Sequence, residues 1–77
     1  MADRISKKKN PILVEFAKIV RLRRYELGLT QEELAERADC HVNYIGGIER
    51  AERNASITSI IALARALDIS PKNLLPD

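Results

Sequence analysis

Two short segments with helical apolar spacing stand only three residues apart in this chain, and that spacing limits the fold more than any other feature. The first segment opens at Thr30, with Glu33 three residues on. In this pattern a hydroxyl and a carboxylate reciprocally satisfy the free N–H groups at a helix start. Leu34, Ala35 and Ala38 form its inward face, and Asp39-Cys40-His41 is the connector. Beyond it, Val42, Ile45 and Ile48 recur at three-residue intervals and predict a second short helix. Helices joined this tightly cross steeply. The crossing needs a small inner residue, which Ala35 supplies, and a turn residue that tolerates left-handed backbone angles, which Asp39 supplies.

The flanking sequence also reads as helix. Asn10-Pro11 pairs a capping residue with a proline at the first helical position, and Leu13, Phe16, Ala17, Val20 and Leu27 mark a buried face that Gly28 terminates. Ser56 caps a segment whose predicted stripe is Ile57, Ile60, Ile61, Ala64 and Leu67. Ser70-Pro71 opens a last turn carrying Leu74 and Leu75. No stretch shows the alternation of a half-buried strand. The expected fold is all-α with five helices: a flexible basic arm over residues 1–10 and one domain over residues 11–77.

Composition narrows the class further. A chain of 77 residues suits one domain, and 45% hydrophobic with 31% charged residues argues against disorder. No apolar run is long enough to span a membrane, and no cleavage pattern follows the basic start. The single cysteine, Cys40, permits no internal disulfide, consistent with a reducing cytoplasm. The formal net charge of +2 says little about partners. Its distribution says more: Arg4, Lys7, Lys8, Lys9, Lys18, Arg21, Arg23 and Arg24 crowd the front of the chain, while the middle is acidic.

Two short helices across a three-residue turn are the geometry of a DNA-binding helix-turn-helix. The run RLRRYELGLTQEELAERADCHVNYIGGIERAERN, from Arg21 to Asn54, resembles the lambda-repressor-like, XRE-type helix-turn-helix family. The likeness continues through ITSIIALARALDISPKNLL, and NYIGGIER–ERN is similar to stand-alone regulators and to controllers of restriction–modification systems. The resemblance implies a five-helix lambda-repressor-like domain with the helix-turn-helix at helices 2 and 3. It also implies that helix 3 enters the major groove and that dimers bind palindromic operators. Ala51 stands where the family usually has Gly, and Ala55 where Pro is frequent.

Periodicity places Arg24 on the apolar stripe of the first helix, four residues after Val20, and Glu49 beside the buried face of the third, four after Ile45. A buried charge needs a partner, so these two are expected to pair across the core; the family has an equivalent pair.

Candidate DNA contacts follow from position. Gln31 begins helix 2, whose amino end attracts phosphate. His41, Val42, Asn43 and Tyr44 occupy the amino end of the recognition helix. Asn43 suits bidentate bonding to adenine, while Val42 either meets a thymine methyl or completes the apolar knobs. Tyr44 either bonds a phosphate or sugar or covers the helix-2 contact. His41 reads as a cap or phosphate neighbour and not as a metal ligand, since no ligand cluster accompanies it. Gly46 and Gly47 weaken a helix, which close approach of its backbone to DNA would offset; the alternative is a clash within the protein. Arg50, Arg53 and Asn54 suit phosphate or minor-groove contact or are solvated. Lys7, Lys8 and Lys9 form either a DNA-embracing arm or a solvated tail.

A homodimer would place two recognition helices about 34–36 Å apart on a palindrome. Leu63, Ile69, Leu74 and Leu75 are the expected interface. The partners are then double-stranded operator DNA, a second copy and, where occupancy blocks or recruits it, RNA polymerase. The setting is a bacterial or phage cytoplasm, at the nucleoid, and no cofactor or metal is implied. The rival reading is the antitoxin half of a toxin–antitoxin pair. An enzyme built on Cys40 and His41 is rejected, because adjacent turn residues diverge and no third group orients the histidine.

Overall fold

The computed structural model describes residues 10–76, and every regular element among them is helical. In chain order these are α1 (Pro11–Glu26), α2 (Gln31–Ala38), α3 (Val42–Glu49), α4 (Ile57–Ala66) and α5 (Pro71–Leu74). Local chemistry sets their starts. The Asn10 side chain accepts from the Ile12 N–H at 2.8 Å. Thr30 and Glu33 form the reciprocal box, at 3.0 Å from the Glu33 N–H and 2.8 Å from the Thr30 N–H. The Ser56 hydroxyl accepts from the Ser59 N–H at 3.1 Å. Helix ends are set by left-handed residues: Gly28 at φ +69°, Asp39 at +57°, Ala51 at +60° and Asp68 at +57°. The expected role of Asp39 in the tight turn is therefore the one it takes.

The core joins all five helices. Phe16 and Val20 of α1, Leu34 of α2, Ile45 and Ile48 of α3, Leu63 and Leu67, and Leu74 of α5 are buried together. Helix α3 packs against both α1 and α2, and α4 packs against α2 and α5. Two expectations about apolar residues are corrected here. In α4 the buried positions are Leu63, Ala64, Ala66 and, just past the helix, Leu67, with Ile60 half-buried; Ile57 is 73% exposed and Ile61 is also exposed. Leu63 and Leu74, expected at a dimer interface, are 1% and 0% exposed, so they fill the monomer's own core. Leu75 remains exposed and Ile69 half-buried. Among the described residues, no helix is long and apolar enough to cross a membrane.

Candidate nucleic-acid interface

Helix α3 is held from its inner side by apolar and ionic contacts together. Ile45 and Ile48 enter the core, and Glu49, one turn after Ile45, is buried beside them. Arg24 approaches from α1 with its guanidinium edge-on. Its Nε donates to Glu49 Oε2 at 2.7 Å and its Nη2 to Oε1 at 2.8 Å. This two-bond fork is the strong form of the pair. The bonded carboxylate raises the Arg24 pKa above the usual arginine value, more than burial lowers it. Arg24 Nη1 also donates to the Leu29 carbonyl at 2.9 Å, tying the α1–α2 loop to the same point.

Gln31 joins this network. Its Nε2 donates to Glu49 Oε1 at 3.0 Å, so the amide expected to face phosphate points to the recognition helix instead. With the Thr30 and Glu33 N–H groups taken by the capping box, the backbone N–H groups of Gln31 and Glu32 are the remaining donors there. Glu32 and Glu33 lie in that same turn.

Further arginines of α1 have similar internal duties, which charge distribution alone did not reveal. Arg21 Nη1 donates to the Glu49 carbonyl at 2.9 Å, capping the carboxyl end of α3. Arg23 Nε donates to the Leu67 carbonyl at 2.8 Å and its Nη2 to that of Asp68 at 3.3 Å, closing α4. A cation at a helix carboxyl end satisfies free carbonyls and complements the dipole. Three of the four cations in α1 thus fix helices, and only Lys18 is fully on the surface.

At its amino end α3 is capped by His41, whose Nδ1 accepts from the Asn43 N–H at 3.0 Å. That role requires a neutral Nδ1, with the ring proton on Nε2. Asn43 itself is exposed. Val42 is half-buried and packs against the core, the apolar-knob alternative. Tyr44 is also half-buried against the core; its hydroxyl stands 3.5 Å from the Asn54 carbonyl, and the Arg53 guanidinium lies 5.5 Å from its ring centre. Arg50, Arg53 and Asn54 are exposed, and Arg50 Nε donates to Glu52 at 3.0 Å.

Gly46 and Gly47 are buried, but not by the core. A Cβ on Gly46 would meet Arg50 Nη1 at 3.0 Å, and one on Gly47 would meet Arg53 Nε at 3.4 Å. Gln31 Oε1 of α2 lies 3.9 Å from the same point over Gly46, so the bare backbone of α3 is overlaid by Arg53 at Gly47 and by Arg50 beside Gln31 at Gly46. Cys40, in the turn, is half-buried, and burial together with Asp39 pushes its thiol pKa up. Lys7, Lys8 and Lys9 lie outside the described residues.

The assembled site is a short helix clamped on one side and open on the other, with its exposed Asn43 at a capped amino end. Residues 19–74, most of the chain, match the family model described as helix-turn-helix. The chain belongs to the helix-turn-helix family. Its relatives are of the XRE type that Arg21 to Asn54 resembles. This helix-turn-helix protein is 49% identical over 47 residues to the control protein C.SmaI of Serratia marcescens, a match covering 61% of the chain and 56% of that protein's length. Its fold is similar to the crystal structure of the restriction–modification controller protein C.AhdI from Aeromonas hydrophila. There the TM-score is 0.80 and the identity 44%, over 82% of this chain and 96% of that one. A second likeness is to the controller protein C.Esp1396I, solved as a tetramer in complex with its natural 35 base-pair operator. The TM-score is 0.76 at 34% identity, over 80% of this chain and 82% of that one.

Proposed function

We propose that this protein is a sequence-specific DNA-binding transcriptional regulator that acts as a dimer on palindromic operators, and that it controls a restriction–modification system. The observation that carries the reading is the division of α3. Its inner side is clamped by Ile45, Ile48 and the Arg24–Glu49 fork, and Asn43 stands exposed at the opposite, capped end. That is the arrangement a helix needs to enter the major groove without rearranging its own core. The control-protein relatives favour a regulator over an antitoxin.

In this reading Asn43 reads a base edge, and Arg50, Arg53 and Asn54 work alongside it, on phosphates or at the groove edge. The first turn of α2 meets a phosphate through backbone N–H groups, with Gln31 bracing α3 from behind. Lys7 to Lys9 add sequence-independent attraction. Replacing all three with Ala then lowers the salt slope of binding by up to ~3 units, and an unchanged slope rejects the arm. The dimer face is proposed around Leu75 and Ile69, extended by Ile12, which is 64% exposed and borders the same open groove as Leu75. Operator occupancy then blocks or recruits RNA polymerase in the cytoplasm, at the nucleoid.

The test is selection of binding sites from a randomised duplex pool. The expected winner is a palindrome whose half-site centres lie about one helical turn apart. Recovery of no enriched sequence refutes the reading. Sedimentation at micromolar concentration checks the dimer: Leu75→Asp shifts it towards monomer, and a wild-type chain monomeric with and without the selected duplex refutes self-association.

A further inference from the structure

The last turn of a helix leaves carbonyls without donors from the helix itself, and each needs a partner. At the carboxyl end of α3 the returning chain serves two of them. With Ala51 left-handed, its N–H donates to the Ile48 carbonyl at 3.0 Å, and the Glu52 N–H donates to that of Gly47 at 2.9 Å. This motif leaves over the carbonyl of Glu49, the last helical residue, and Arg21 Nη1 reaches it from α1 at 2.9 Å. The bond is partly buried and joins residues 28 positions apart. Arg24, one turn further along α1, forks onto the carboxylate of the same Glu49. Two arginines of one helix therefore grip a single residue of another, at its backbone and at its side chain.

The two grips differ in kind. The rotatable bonds of the Glu49 side chain lie between the Arg24 fork and the backbone of α3, so the fork holds the helix down more firmly than it fixes its tilt. The Arg21 bond ends on the backbone itself, with no such bonds between. We propose that Arg21 is a positioning residue for DNA recognition: it sets where the carboxyl end of α3 lies against α1, and with it the placement of Arg50, Arg53 and Asn54 relative to Asn43. Asn43 stands exposed near the start of the helix, and the other three follow its end. A base contact at one end and phosphate contacts at the other must be met together. A helix free to tilt at its exit loses that freedom on binding, and an anchor already in place removes part of the loss. As a cation, Arg21 also offsets the negative pole of α3, which a polyanion would repel. The proposal rests on the regulator reading for its consequence, whereas the anchor is a property of the free protein.

Hydrogen exchange in the free protein tests the anchor. Arg21→Ala is expected to speed exchange at the Ala51 and Glu52 amides on the order of ten-fold, while the Glu33 amide in the α2 box keeps its protection. Equal rises at both places, or no rise at Ala51 and Glu52, overturn the anchor. Binding is then measured below the unfolding transition of every variant. The probes are the tightest duplex recovered from a randomised pool and a scrambled duplex of the same composition. Arg21→Ala is expected to weaken the selected duplex about ten-fold and the scrambled one less, with the salt slope unchanged. A slope smaller by about 1 on both duplexes, with discrimination kept, means that Arg21 meets a phosphate itself and overturns the proposal. Unaltered affinity for the selected duplex reduces Arg21 to a stabilising cap and overturns it too. Arg21→Lys keeps the charge and a donor on a shorter stem, and its exchange protection and discrimination are expected to move together. Recovery of either without the other breaks the link. If wild type binds both duplexes equally, the regulator reading fails, while exchange still reports on the anchor.

Discussion

The two flanks of α3 are built on opposite principles. The inner flank is over-determined: Ile45 and Ile48 sit in the core, and Glu49 receives two bonds from Arg24 and one from Gln31. The outer flank has almost no bulk of its own. Asn43 projects into solvent, Gly47 is covered by Arg53 from beyond the helix, and Gly46 by Arg50 and the edge of Gln31. The difference teaches that position and contact are separate tasks in this domain. Residues that place the helix are buried and mutually bonded, so a change there is paid in stability. Residues that face outward are nearly free of the fold, so a change there alters binding and leaves stability alone.

That separation can be broken experimentally, most severely at Arg24. Arg24→Ala leaves the buried Glu49 carboxylate with only the Gln31 amide and is expected to destabilise the domain by ~3–5 kcal/mol. Thermal or urea unfolding checks this, and an unchanged midpoint means that the fork does not hold α3. Asn43→Ala is the counterpart on the open flank. It is expected to cost about 1–3 kcal/mol of discrimination at one base pair. Its unfolding midpoint should match wild type, and a large drop would mean that the flanks are not separate.

Ala51→Gly sharpens the boundary between them. Ala51 ends the recognition helix at φ +60°, a conformation costing roughly 1–2 kcal/mol for a residue with a Cβ. Glycine there should stabilise the domain by ~1 kcal/mol without altering sequence preference. A destabilised variant would show that the buried Ala51 methyl matters more than the strain. The smallest effect belongs to the turn. Burial and Asp39 raise the Cys40 pKa, so less thiolate exists at a given pH and alkylation should be slower than for a free cysteine. A folded pKa above the unfolded one contributes stability that is complete below the ordinary thiol range. That contribution is lost as pH rises through it. Alkylation as fast as in unfolded chain contradicts this.

Most of the clamped side was legible in the sequence, because its signals are local. The Thr30–Glu33 box, the Asn10 and Ser56 caps and the left-handed Asp39 each depend on neighbours within a few positions. The Arg24–Glu49 pair was legible because a charge on an apolar stripe has few alternatives to a partner. Segment α4 was harder. ITSIIALARA is apolar at so many positions that a stripe adding Ile57 and Ile61 to the correctly placed Ala64 and Leu67 fits helical spacing as well as the true one, which adds Leu63 and Ala66. The same ambiguity made Leu63 and Leu74 look like surplus interface. The carbonyl-capping roles of Arg21 and Arg23 join residues 28 and 44 positions apart, and nothing local signals them. The arginine cover on Gly46 and Gly47 depends on how the chain returns after Ala51, which is likewise a tertiary property.

The central claim is that the lightly built flank of α3 faces the DNA. Titrating the isotope-labelled protein with a selected duplex and following amide shifts tests it residue by residue. Asn43, Gly46, Gly47 and Arg53 should move most, with α5 changing only as far as dimerisation requires. Shifts concentrated on α1 and α5, with these four positions unmoved at saturation, would contradict it.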